Sequence, residues 1–402
     1  MASTSRSHPT LPQHPEDNAD YGYYNDDSDV DCDFMECVEE ITRYNSPTSF
    51  YPIRIGDVLN QTYRIDHKLG HGGFSTVWMA FDLKTKKNVA VKVLCSMVSG
   101  EHELTVQKDI LCNVEDTSHL VLLKDTFLIR GKGRDHRVFV YPLCGPTLGS
   151  ISARWLSMAT RMSAAKQLLE ALEGLHKAGF VHRDLNDRNV MWGVSLPGNL
   201  SKSERYKIFG RPCKMPIPDA WRKGDRVIPT TIPKNFRTET FYLGDFGLAM
   251  RVGDSPIPKG YPPLEVCSPE RLHGVEPTFS CDIWSYTCLF AQLWLSCSPF
   301  IGGWNNGLLG CVVDRLGPLP RQLKGLFTPA EQAVDQWYNG KPNPAVSLES
   351  LIKFAQPEAS PSEQKHVLAV LSRGFALIPA HRPTATQLLQ DPDFKAIMEL
   401  YA

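Results

Sequence analysis

Between Tyr63 and Cys95 three short segments, "TYRIDHKLG", "FSTVWMAFD" and "NVAVKVLC", alternate or run apolar in bursts broken by Gly, Lys and Asn. Bursts of that length and period fit half-buried strands, and their spacing predicts an antiparallel meander. After about Leu143 the period changes. "MATRMSAAKQLLEALEGLHKAG" and the run from Asp282 to Leu295 place apolar residues three and four apart, the spacing of helices that bury one stripe. Strands first and helices after predict an α+β chain with a small β-rich lobe over residues 49–142 and a larger helical lobe over 143–402. No internal repeat is visible.

Lys92, in "VAVK", interrupts an apolar strand. A buried ammonium left unpaired is too costly to keep, so an anion must meet it. Just upstream, "LGHGGFSTVW" sets Gly70 and Gly72 between two predicted strands, with Val77 on the far one. Glycines let backbone N–H groups come close to phosphate oxygens where a Cβ would obstruct them. By itself such a hairpin is equally a tight turn. Followed by Lys92 on the next strand, it points to a phosphate-bearing ligand.

A polar loop follows the first long helix. In "HRDLNDRN", His182 to Asn189, Asp184 can accept the hydrogen bond of an incoming hydroxyl, Asn189 can offer a neutral oxygen to a divalent cation, and Arg183 can meet a negative group elsewhere. In "YLGDFGLA", Asp245 adds an acidic ligand for a cation bridging phosphates. Then come "CSPERLHG", "DIWS" at Asp282 to Ser285 and "HRPTATQLL" at His381 to Leu389. Glu270 in the first of these and Arg382 in the last are expected to form a buried ion pair.

These elements in this order resemble the eukaryotic protein kinases over roughly Tyr63 to Phe394. "FYPIRIGDVLNQTYRIDHKLGHGGFSTVWMAFD", Phe50 to Asp82, and "VVDRLGPLPRQL" look similar to the SR-protein kinases, in particular their divergent fungal members. The resemblance implies a serine/threonine kinase that uses ATP and Mg²⁺ and acts on protein hydroxyls, arginine/serine-rich splicing factors among them. It implies that Leu69, Gly70, His71, Gly72, Gly73, Phe74, Ser75, Thr76 and Val77 cover the nucleotide, with Lys92 on its phosphates and Asn189 and Asp245 on the metal. A glutamate on the next helix should pair with Lys92. Glu103, 103 − 92 = 11 positions on, is the choice, and Asp109 is its rival. The adenine hinge falls in "VFVYPLCGPTL", where Pro142 lacks an N–H but keeps its carbonyl, and Cys144 keeps its amide.

The chain departs from the family at three places. Asn186 stands where the family has a lysine on the γ-phosphate, and the threonine that normally partners that lysine is missing from "GYPPLEVCSPE". Tyrosine kinases also lack the lysine and commonly place an arginine four positions after the aspartate, which is Arg188 here, so Arg188 joins Asp184 and Lys92 as a candidate catalytic residue. Two further readings therefore stay open, a pseudokinase-like scaffold and a tyrosine or dual specificity. Lastly, the two aspartates are 245 − 184 = 61 positions apart. The surplus, a basic, Pro-rich insert at about 193–240, is expected to be a surface loop with short β pieces, or a docking element that pairs with the acidic tail.

That tail, residues 1–48, carries "NDDSDVDCDFMECVEE" and buries too little to offset the entropy of ordering. Disorder is expected, or else a strip that docks a basic partner with Tyr21, Tyr23, Tyr24 and Phe34 as apolar grip. A net charge of −1 offers no field for nucleic acid or an anionic membrane, so neither is an expected partner, and a monomer is. Eleven cysteines without paired spacing, after an N-terminus lacking an apolar segment, suggest reduced thiols inside a cell. Cytoplasm or nucleus follows by analogy. Arg183 would want an anion on the segment after Asp245, and phosphorylated Ser255 or Tyr261 could supply it.

Overall fold

The computed structural model describes residues 21–24, 43–44, 50–198, 200–255, 260–301, 305–323 and 342–402. The first strands are β1 (Tyr23–Tyr24), β2 (Val58–Leu59), β3 (Tyr63–His71), β4 (Ser75–Asp82) and β5 (Asn88–Leu94). Helix α1 (Glu101–Asn113) follows, then β6 (Asp125–Arg130) and β7 (Asp135–Pro142). Strands β2 to β7 form one sheet in the order β2-β3-β4-β5-β7-β6, every neighbour antiparallel. The expected meander is therefore present, and α1 crosses over before the last hairpin. Alternation sets the buried face: Ile65, Trp78, Ala80, Val91, Val138 and Val140 are closed to solvent. Trp78 keeps its indole N–H satisfied on Thr76 Oγ1 at 2.9 Å.

The helical lobe is built on α2 (Met158–Lys177), whose first turn is capped by Ser157 accepting from the Thr160 N–H. Its stripe of Leu168, Leu169, Leu172 and Leu175 is fully buried, each side chain contributing about 1.5–3 kcal/mol of transfer free energy. Beyond it lie β8 (Phe180–Val181) and β9 (Val190–Val194).

The insert has the short β pieces expected of it but is more than a surface loop. It contains helix α3 (Lys202–Phe209), opened by a Ser201–Glu204 capping box, and strands β10 (Cys213–Pro216) and β11 (Asp225–Val227), before β12 (Arg237–Leu243) returns antiparallel to β9. This insert packs onto the β-lobe. Asp225 N–H donates to the Ile53 carbonyl at 2.8 Å and Thr230 N–H to Lys68 at 2.9 Å. Arg222 ion-pairs with Asp57 at 2.9 Å and buried Arg205 with buried Asp66 at 3.1 Å. Phe209 and Ile232 close an apolar cluster with Met79, Leu69 and hinge residue Leu143.

The tail is corrected in part as well. Tyr23 and Tyr24 pair in parallel with Cys213 and Lys214 of the insert, and the Lys202 ammonium sits 3.5 Å from the centre of the Tyr21 ring. That ring occupies the place a Cβ would need at Gly56, whose φ of 94° also favours glycine. Contact between tail and insert is thus made by aromatic rings and backbone. Phe34 and the acidic run fall outside the described residues.

After β13 (Met250–Arg251) come the short α4 (Pro269–Leu272), then α5 (Phe279–Leu295), α6 (Asn305–Leu316), α7 (Leu348–Ala355), α8 (Pro361–Gly374), α9 (Ala385–Gln390) and α10 (Pro392–Leu400). Helix α5 is buried on nearly every face, as its continuous apolar run predicts. No helix among the described residues is long and apolar enough to cross a membrane.

Candidate active site

Lys92, on β5, lies 3.1 Å from Glu103 Oε1 on α1 and 3.5 Å from Asp245 Oδ1. Glu103 is therefore its helix partner, and the rival Asp109 instead faces Arg251 at 3.9 Å. Burial by itself would lower the Lys92 ammonium, but the Asp245 and Glu103 carboxylates outweigh it and hold it above its ordinary value. Asp245 is depressed below the usual 3.8, chiefly by Lys92.

Two residues that sequence reasoning missed secure this pair. Tyr141 donates its hydroxyl to Glu103 Oε1 at 2.8 Å, and Gln107 donates Nε2 to both Tyr141 Oη at 2.9 Å and Glu103 Oε1 at 3.2 Å. Gln107 Oε1 in turn accepts the Leu123 N–H at 2.9 Å. The only hint in the sequence is one glutamine, fully buried, four positions along α1 from Glu103.

The glycine hairpin meets a test of fit. A Cβ at Gly70 or Gly72 would touch nothing within 4 Å, and neither residue has a positive φ. Neither packing nor backbone conformation demands glycine here, so clearance for a ligand is the remaining physical reason. Phe74 stands exposed at the tip, and the Arg43 guanidinium donates to the Gly73 carbonyl. At the hinge Pro142 and Cys144 are half-buried. Burial pushes the Cys144 thiol up to about 12, so it stays protonated.

The catalytic loop is held from below by Asp282, the first residue of "DIWS", whose role spacing could not reveal. Its carboxylate accepts the His182 N–H at 2.7 Å and the Arg183 N–H at 2.9 Å, and lies 3.1 Å from His176 Nε2. Above it, Asn186 Nδ2 donates to Asp184 Oδ1 and Asn189 Nδ2 to Asp184 Oδ2, both at 2.9 Å. Burial raises the Asp184 carboxyl, the two amide contacts oppose that rise, and Asp245 adds to it. Because Asn189 commits its Nδ2 to Asp184, its carbonyl oxygen is the atom available to a cation. Arg188 is exposed and uses its backbone N–H on Asn186 Oδ1 at 2.9 Å.

Downstream, Arg382 and Glu270 form the expected buried pair, with contacts of 2.6 and 2.8 Å. Arg183 reaches the segment it was expected to meet. Its guanidinium donates to the carbonyls of Leu248 at 2.8 Å and Gly260 at 3.3 Å, both on the segment after Asp245.

A β-lobe over a helical lobe, with a glycine hairpin, a Lys–Glu pair, a buffered aspartate and a second acidic residue converging between them, defines a protein kinase fold. Comparison with known proteins agrees. Residues 63–210 match the protein kinase domain. The chain is 25% identical to a probable serine/threonine-protein kinase, clkA, of Dictyostelium discoideum over 70% of its own length and 30% of that protein. It is 26% identical to a serine/threonine protein kinase of Aspergillus fumigatus over 85% and 87% of the two chains. With the serine/threonine-protein kinase SRPK of Physarum polycephalum it shares 24% identity over 65% and 67%. The chain thus spans under a third of the Dictyostelium relative's length. The chain is therefore similar to eukaryotic protein kinases, with an SR-protein kinase among the relatives it resembles. That family uses ATP with a divalent metal.

Proposed function

We propose that this chain is a serine/threonine protein kinase that moves the γ-phosphate of Mg²⁺-bound ATP to a protein hydroxyl. The observation that carries this reading is the Lys92 ammonium 3.1 Å from Glu103 and 3.5 Å from Asp245. That contact joins sheet, helix and metal-site residue into one arrangement made for phosphates. In the reaction Asp184 takes the proton of the attacking hydroxyl. A bond forms between that oxygen and the γ-phosphorus, the bridging P–O bond breaks, and its electron pair leaves with ADP. Lys92 supplies charge to the phosphates, Asn189 and Asp245 would hold the cation, which would supply neutralising charge, and exposed Arg188 is the further candidate for charge on the transferred group.

The SRPK relative supports arginine/serine-rich proteins as the substrate class. Arg188, four positions after Asp184, favours a second reading in which tyrosine is also accepted. By the same analogy we propose that the protein acts as a monomer in the cytoplasm or nucleus, without a nucleic-acid or membrane partner. The test is transfer of labelled γ-phosphate to an arginine/serine repeat peptide and to a generic basic protein, with Asp245→Asn as the blank and phosphoamino-acid analysis of the product. Serine labelling that disappears in the blank is expected. ATP binding without transfer would favour the scaffold.

A further inference from the structure

Asn186 is the departure that the kinase reading leaves unexplained. Its side chain is buried, 4% exposed, and all its polar atoms are used locally. Nδ2 donates to the Asp184 carbonyl at 3.0 Å and to Asp184 Oδ1 at 2.9 Å, while Oδ1 accepts the Arg188 N–H at 2.9 Å. A side chain so engaged has nothing left for a phosphate oxygen. Its donor is aimed at the proton acceptor instead. With Asn189 on Oδ2 at 2.9 Å, the two carboxylate oxygens of Asp184 each receive one amide N–H, which fixes the plane of the carboxylate.

We infer that Asn186 is a positioning residue that orients Asp184 as proton acceptor, replacing a cation on the phosphate with an amide on the base. This rests on the kinase reading above. Two physical consequences follow. A carboxylate clamped by two neutral donors keeps one oxygen lone pair directed at the incoming hydroxyl without rotating, and small errors in such geometry are costly in rate. With the phosphate-directed cation absent from position 186, charge on the transferred group falls to Lys92, the metal and the exposed Arg188.

A competing explanation is that Asn186 only caps the single helical turn Asp187–Asn189, since its Oδ1 accepts from the Arg188 N–H there. Serine separates the two roles: it caps a helix start as well as asparagine does, but its short hydroxyl does not span to Asp184 Oδ1. The experiment therefore compares wild type, Asn186→Ser and Asn186→Ala in the peptide-transfer assay. It measures kcat and the KM for ATP, with thermal melting to verify folding.

Both variants are expected to lose roughly ten- to a hundredfold in kcat, with the KM for ATP within about twofold of wild type. If Asn186→Ser melts like wild type and keeps its kcat, the role is capping alone and the inference is overturned, whatever Asn186→Ala does. A large rise in the KM for ATP with kcat unchanged would also overturn it, by showing a ground-state phosphate contact. A wild type that transfers nothing removes the kinase reading and this inference together. Wild-type transfer with an unaffected Asn186→Ser removes this inference alone.

Discussion

Arg382 lays two guanidinium nitrogens against the two carboxylate oxygens of Glu270, at 2.6 and 2.8 Å, with the arginine side chain closed to solvent and the glutamate 4% exposed. The pair ties α4 to the turn ahead of α9, and Arg382 also stacks over Trp284 with its guanidinium carbon 4.9 Å from the ring centre. Breaking it leaves a buried charge uncompensated. Glu270→Ala and Arg382→Ala should each destabilise the protein by about 3–5 kcal/mol, read as a lower urea midpoint at unchanged slope. A loss below about 1 kcal/mol in both would show that water reaches the pair.

Lys92 matters more to turnover than to folding. Its loss leaves Glu103 still held by Tyr141 and Gln107. Lys92→Met should therefore remain folded at the assay temperature while transfer falls by about a hundredfold or more, the scale of removing a preorganised charge from a transition state. Comparable loss of folding and activity would contradict this division.

The two site aspartates should separate with pH. Burial first, then Asp245, raises the folded pKa of Asp184 above its ordinary 3.8, so activity should fall on acidification through a limb above that value. Asp245 is lowered below 3.8, mainly by Lys92. Its contribution to stability is present above the ordinary value and lost as pH falls through the folded one. Asp245→Asn should remove that part of the acid destabilisation while abolishing transfer. Melting curves of the two proteins between neutral pH and the acid range provide the check.

The insert should behave as part of the β-lobe. Arg205→Ala removes one of the two cations on buried Asp66, leaving Arg64 at 2.9 Å. A loss of about 2 kcal/mol is expected, with faster amide exchange and new protease cuts in β10 and β11. Exchange unchanged in those strands would show that the backbone pairing alone secures them.

The parts legible in the sequence were those whose chemistry lies in contiguous residues. Lys92 in its strand, Asp184 and Asn189 in one loop and Asp245 before Phe-Gly all lie in the cleft, and Glu103 meets Lys92 as assigned. Tyr141, Gln107 and Asp282 were not legible, because each acts on a partner far away in the chain: 34 residues separate Gln107 from Tyr141 and 100 separate His182 from Asp282. Helix α3 was hidden for another reason. Its buried residues are Arg205 and Phe209, so an arginine guanidinium over the Phe81 ring does the work that a hydrophobic period would otherwise advertise. Strand β1 is two residues long and owes its place to backbone pairing, which leaves no pattern to read.

The chain passes between the lobes at Pro142 to Gly145, and the insert makes a second passage when it leaves β9, packs on the β-lobe and returns as β12. Phe209 and Ile232 bring that second passage against Leu143, so the two crossings share one apolar joint. Two bodies joined at a single point can swivel about any axis through it, whereas two joined at neighbouring points keep chiefly the rotation about the line between them. Rotation about the line between the two crossings is therefore the relative motion this arrangement favours, and Leu69 at the root of the glycine hairpin packs against the same joint.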